Sequence, residues 1–113
     1  MEKVKLGNTV YLSGQWKNLP DRTVSVKDSK LFLAYKAKKV NVVAGGNSKI
    51  RVSIDGKALG TRVGEDTKAE GWPATALISQ QRLYNIISSP GYETHVLEIN
   101  AEPGLELYTF TFG

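Results

Sequence analysis

The sequence predicts an all-β fold, a sandwich of short antiparallel strands of jelly-roll type. Three observations predict it. Apolar and polar residues alternate in short runs, which an extended backbone sorts to opposite faces. Turn residues separate these runs at regular intervals. No stretch of about ten residues carries the three-and-four apolar spacing of an amphipathic helix.

The elements follow in order. Val10–Ser13 forms the first strand, closed by Gly14-Gln15-Trp16, and Leu19-Pro20-Asp21-Arg22 turns the chain. Thr23–Val26 is a short strand, and Lys27-Asp28-Ser29 leads into Lys30–Ala37. There Leu31, Leu33 and Tyr35 alternate with Phe32, Ala34 and Lys36, so a central strand covered on both faces is expected. Val40–Ala44 is rich in β-branched residues. Gly45-Gly46-Asn47-Ser48 reads as a hairpin loop returning into Ile50–Asp55, with Ile50, Val52 and Ile54 inward and Arg51, Ser53 and Asp55 outward. Asp55-Gly56 is the strongest short turn signal, with Lys57-Ala58-Leu59 pairing back after it.

Residues 60–75 break this rhythm. Gly60, Gly64, Gly71 and Pro73 lie among Glu65, Asp66, Lys68 and Glu70 in a polar loop of about 15 residues, a length typical of functional or mobile segments. Strands resume at Ala76–Ser79 and Arg82–Ile87. Ser88-Ser89-Pro90-Gly91 reads as a turn, and Thr94–Asn100 returns with His95, Leu97 and Ile99 on one face. Leu105–Phe112 closes the chain. Strict alternation points Tyr108, Phe110 and Phe112 at the core together with Glu106, and places Leu105, Leu107, Thr109 and Thr111 on the other face.

Composition bounds the function. The 113 residues are expected to form one domain, and 41% hydrophobic with 23% charged residues is a globular balance. The absence of cysteine excludes disulfides, a thiolate nucleophile and cysteine metal clusters. Residues 1–7 hold no apolar signal core, and no run approaches the ~20 residues needed to span a bilayer. The chain therefore reads as soluble without an export signal, and equally as a domain excised from behind a leader or upstream partner. A net charge of +4, with Lys36, Lys38 and Lys39 clustered near Lys27 and Lys30, reads as solvated strand edge. No nucleic-acid partner and no membrane span are expected.

The chemical inventory is small. His95 is the lone histidine and lies in strand alternation, and no serine occupies a nucleophile elbow. No catalytic residue, cofactor or metal site is expected. Glu65, Asp66 and Glu70 lack regular calcium-ligand spacing and read as a solvated acidic loop. The aromatic residues are better candidates. Trp16 and Trp72 sit at strand ends or in loops, each capping the core or presented to a ligand, and Trp72 lies between Gly71 and Pro73 in the long loop. A flat ring can stack on a sugar while polar neighbours bond its hydroxyls. Asn41, Arg51 and Asp55 on the outer face, and Arg82 with Asn85, are the candidate polar groups.

Val10–Trp16, Lys38–Ala44, Ile50–Lys57, Arg82–Ile87 and Tyr108–Gly113, in that order over residues 9–113, resemble the C-terminal domain of DipZ-type thioredoxin-like proteins. The resemblance implies a jelly-roll sandwich similar to carbohydrate-binding modules, attached behind a thioredoxin-like domain that holds the redox cysteines. It implies a periplasmic or extracellular setting if an upstream segment is missing. Thiol–disulfide activity does not carry over to a chain without cysteine. Two functions follow as expectations: a non-catalytic module binding an oligosaccharide, or an accessory domain docking a redox partner or its substrate.

Overall fold

The computed structural model describes residues 2–6, 8–69 and 73–113, with side chains from Val10 onward within those ranges. Among the described residues nine strands form one curled antiparallel sheet: β1 (Glu2–Leu6), β2 (Asn8–Ser13), β3 (Trp16–Asn18), β4 (Thr23–Ser25), β5 (Ser29–Gly46), β6 (Ser48–Ile54), β7 (Ala74–Ile78), β8 (Arg82–Ala101) and β9 (Leu105–Phe112). Among the described residues no helix is long and apolar enough to cross a membrane.

Two long strands make the sandwich. The first half of β5 lies between β2 and the second half of β8, and β8 continues the layer through β6 to β7. The second half of β5 lies between the first half of β8 and β9, and β9 continues the other layer through β4 to β3. The sequence suggested separate strands at Lys30–Ala37 and Val40–Ala44, and at Arg82–Ile87 and Thr94–Asn100. Each pair is one bent strand, because the long neighbour runs past the break and holds both halves. At the Ser-Pro-Gly segment, Ser89–Tyr92 oppose only Lys38, so a wide bulge replaces the expected turn. Pro90 lacks the N–H that a continuous ladder would use there.

A hairpin across Gly45–Ser48 is likewise not formed. β5 and β6 do not pair; the link carries the chain from one layer to the other, and β6 pairs with β7 and β8. Gly46 has φ 91°, and a Cβ there would lie 2.2 Å from the Gly104 carbonyl, so backbone packs directly on backbone at this crossing.

The last strand corrects a further expectation. Ala44 opposes Leu107 but Val43 opposes Thr109, so Tyr108 is the extra residue of a bulge. The bulge reverses the alternation. Leu105 and Leu107 are buried before it and Phe110 after it, with Phe112 packed partly against the core, while Tyr108 turns away and donates its hydroxyl to Glu106 Oε1 at 3.1 Å. A bulge at Ile86 similarly lets Ile86 and Ile87 both be buried.

Leu31, Leu33 and Tyr35 of β5 face the core with Ile50, Val52, Ile54, Leu97 and Ile99, as alternation predicts. The other face of the Lys30–Ala37 segment is not covered: Lys30, Ala34 and Lys36 are exposed and Phe32 is half-buried. The long polar loop is also tighter than expected. Leu59 and Thr67 are buried, Val63 bridges to Ile87, and Lys68 bridges to Thr75. Gly64 N–H donates to the Ile86 carbonyl and Ser88 N–H to the Arg62 carbonyl, so residues 62–67 cover the edge of β8 as a strand would.

Candidate functional site

Three polar assemblies lie outside the core. The first surrounds the Asp55-Gly56 turn, which forms as predicted: φ is 52° and 72°, and Ile54 and Lys57 exchange both backbone bonds, the geometry of a type I′ hairpin turn. Asp55 Oδ1 accepts the Val96 amide at 2.8 Å, and Oδ2 meets His95 Nδ1. His95 Nε2 lies 2.8 Å from Glu93 Oε1, and the Glu93 carboxylate accepts two hydrogen bonds from Arg62. The Arg62 and His95 hydrogen bonds hold the Glu93 pKa down to about 2. Asp55 is lowered by the Val96 amide and by His95. Its two carboxylate partners raise His95 above its ordinary 6.5. The Tyr35 ring lies 6.1 Å from that of His95, and burial pushes its phenol up to about 12. Each imidazole nitrogen faces a carboxylate oxygen, so the ring is held between two acceptors that favour its protonated form. This assembly ties the turn and Arg62 to β8.

The second assembly brings together three of the residues singled out from sequence. Asn85 Nδ2 donates to Asn41 Oδ1 at 2.8 Å, and Arg82 Nη2 donates to Asp66 Oδ1 at 2.9 Å. Asp66 Oδ2 accepts the Asn85 amide at 2.7 Å, while Asn85 Oδ1 accepts the Glu65 amide at 2.7 Å. The Arg82 guanidinium lies 3.8 Å above the Tyr84 ring, adding a cation–π contact. Arg82, then the Asn85 amide, holds Asp66 below the usual carboxylate range. Asn41 is thus tied to Asn85, and Asn85 and Arg82 are each tied to the loop through Glu65 and Asp66, which engages much of their capacity for a ligand.

The third assembly is the outer face of the layer β2-β5-β8-β6-β7. Cross-strand registers set its rows. Lys30 opposes Asn100, Asn100 opposes Arg51, and Arg51 opposes Thr75. In the next row Tyr11 opposes Phe32, and Phe32 opposes Glu98; beyond it Ala34 opposes Val96. Tyr11 is 37% exposed and Val96 43%. A groove of about 280 Å³ lies against the polar row, lined by Asp28, Lys30, Arg51 and Asn100. Among the described residues Lys30 has no hydrogen-bond or ion-pair partner, and the only such contact of Arg51 is Glu102 at 3.4 Å, with both side chains half-buried. A flat apolar row therefore lies beside polar groups with spare hydrogen-bonding capacity.

The sequence candidates are thus distributed rather than gathered. Arg51 belongs to this face, Asn41, Arg82 and Asn85 to the second assembly, and Asp55 to the first. Trp16 is a core cap: it packs on the apolar cluster and its Nε1 donates to the Ser13 carbonyl at 3.0 Å. Trp72 lies outside the described residues. Tyr11, Phe32, Lys30, Glu98 and Asn100 were not singled out. Their signal was an aromatic ring on the polar side of an alternating strand, which becomes a platform only once β2 and β5 are paired.

The comparisons with known proteins agree with this architecture. Residues 2–113 match the family described as Thioredoxin like C-terminal domain. Protein DipZ of Mycobacterium bovis and Protein DipZ of Mycobacterium tuberculosis are each 28% identical over 108 residues, covering 94% of this chain but 13% of the relative. A family two carbohydrate esterase from Cellvibrio japonicus superposes with a TM-score of 0.68 at 18% identity, over 91% of this chain and 30% of that one. A family two carbohydrate esterase from Clostridium thermocellum in complex with cellohexaose gives 0.68 at 14% identity, over 92% and 31%. At such identities the structures show a shared β-sandwich fold alone, and the chain spans under a third of each relative. The matches fit an accessory domain of a larger protein, and the chain belongs to the thioredoxin-like C-terminal domain family.

Proposed function

We propose that this member of the family is a single non-catalytic β-sandwich domain that binds an oligosaccharide on the outer face of the β2-β5-β8-β6-β7 layer. The observation that carries the reading is the juxtaposition of two rows. Tyr11, Phe32, Ala34 and Val96 offer a flat apolar surface for the C–H face of a sugar ring. Lys30, Arg51, Asn100 and Glu98 stand beside it to bond hydroxyls, and the groove gives that row depth. The cellohexaose complex of a structural neighbour supports a glycan as the class of ligand.

Calorimetric titration with cellohexaose and with xylan-, mannan- and chitin-derived hexamers tests this. Binding of at least one glycan is expected, weakened at least tenfold by Phe32→Ala or Tyr11→Ala and unchanged by Asn41→Ala. A flat response across the panel would overturn the reading.

The family itself favours a second reading, an accessory domain that docks a redox partner or its substrate. A thioredoxin-like protein added to isotope-labelled chain would then shift amides of one surface at micromolar concentration, with the glycan panel silent.

A further inference from the structure

The outer edge of β7 carries a different feature. Thr75 exchanges both backbone hydrogen bonds with Lys68, at 2.7 and 2.8 Å, so its N–H and C=O point away from β6. Backbone direction alternates along an antiparallel strand, so Ala76 and Ile78 turn toward β6 and Leu77 again turns outward. If the ladder begun at Lys68 continued, residue 66 would meet Leu77. Instead the Asp66 amide donates to the Asn85 carbonyl at 3.1 Å and the Thr67 hydroxyl to the Ile86 carbonyl at 3.0 Å, carrying this segment over to β8. Two segments joined at Lys68 and Thr75 therefore diverge. Between them opens a groove of about 390 Å³, lined by Lys49, Glu65, Asp66, Lys68 and Leu77. Among the described residues the Leu77 backbone groups have no partner, and its side chain is 72% exposed. The next outward amide, of Ser79, donates to the Tyr84 hydroxyl at 3.1 Å, which confines the free pairing to Leu77.

We propose that this edge takes an extended acidic peptide as an added strand, its backbone pairing with Leu77 and its carboxylates facing Lys49 and Lys68. Unpaired edge groups are a template for strand addition, and flanking side chains select the partner. Charge selects it here. Lys49 and Lys68 have no ion-pair partner among the described residues, and Asp66 is neutralised by Arg82, leaving Glu65 as the opposing charge of the lining. Two β7 edges paired with each other would gather four lysines along one seam, which disfavours a second copy as the occupant.

The test is a titration of isotope-labelled protein with the capped peptide Glu-Val-Thr-Val-Glu and with its basic counterpart Lys-Val-Thr-Val-Lys. The acidic peptide is expected to shift the Leu77 amide, slow its hydrogen exchange, and bind at least tenfold more tightly than the basic one at low salt. Leu77→Pro removes an N–H that no strand among the described residues uses and is tolerated at an edge, so it should abolish the binding while leaving the thermal transition in place. Should that variant not fold, Lys49→Glu reads the same site through charge and should cut acidic-peptide affinity at least tenfold. An undisturbed Leu77 amide, or equal affinity for the two peptides, overturns the proposal. So does concentration-dependent sedimentation abolished by Leu77→Pro, which would assign the edge to a second copy. None of the residues tested belongs to the glycan platform, so failure of one reading leaves the other standing.

Discussion

The two outer faces of the sandwich are built from similar residue types and end in opposite states. On the β9-β5-β8 face, Asn41, Asn85, Asp66 and Arg82 bond one another and hold residues 64–67 against the sheet. On the β2-β5-β8-β6 face, Lys30 bonds no partner among the described residues, Arg51 meets only Glu102 at 3.4 Å and Asn100 donates only to Glu98, all beside half-exposed aromatic surface. A polar side chain whose hydrogen bonds are satisfied internally contributes to stability, and one whose bonds are unmet is available to a ligand. The first face should therefore respond to substitution in stability, and the second in binding.

The largest effect is expected at Gly64. A Cβ there would lie 2.3 Å from the Asn85 carbonyl oxygen, a backbone atom that cannot swing aside. Gly64→Ala should lower stability by about 2–3 kcal/mol in urea denaturation, the upper range for overpacking. A cost near zero would show that the loop is only loosely held.

Asp66→Ala comes next, at about 1–2 kcal/mol, because it strips the acceptor from the Asn85 amide and from Arg82 in a partly solvated site. A double-mutant cycle with Arg82→Ala should show coupling between the two; simple additivity would break the picture of a knitted face.

Acidity tests the first assembly, around the Asp55-Gly56 turn. Glu93 has a depressed folded pKa, about 2 against an ordinary 4.5, so its contribution is full above 4.5 and is lost as pH falls toward 2. His95 has a raised one, so its contribution is full below 6.5 and is lost as pH rises through the folded value. Urea midpoints should therefore peak between pH 4.5 and 6.5 and decline on both sides. His95→Gln should flatten the alkaline decline, and an unchanged profile in that variant would remove the assembly from the account of loop anchoring.

The smallest stability effect belongs to the open face. Arg51→Ala should change stability by less than about 0.5 kcal/mol, as at exposed sites generally, while weakening glycan binding severalfold. A large loss of stability would place Arg51 among the structural groups.

Much of this fold was legible along the chain. Inward positions of the Ile50–Ile54 and Leu97–Ile99 segments followed from alternation, and the Asp55-Gly56 turn followed from its dipeptide. Alternation failed where a bulge intervened. Tyr108 shifted the parity of the last strand, so Leu105 and Leu107 share the interior with Phe110 in place of three stacked rings. Ser88–Gly91 carries the local signal of a reversal, and that signal does not say whether a neighbouring strand spans the break, as β5 does here. The candidate site was less legible. Asn41, Arg82 and Asn85 are candidate polar groups by residue type, but each meets a partner brought from elsewhere in the chain. Phe32 gave no signal of its own until Tyr11 stood beside it.

By itself the sequence determined the all-β class, most strand faces, the tight turn, the absence of thiol chemistry and the family pattern, because each depends on neighbouring residues or on composition. Only the tertiary structure decided which strands adjoin, where β5 and β8 pass between layers, and which polar groups satisfy one another. Those outcomes rest on backbone pairing between distant segments, where a one-residue shift exchanges the two faces of a strand.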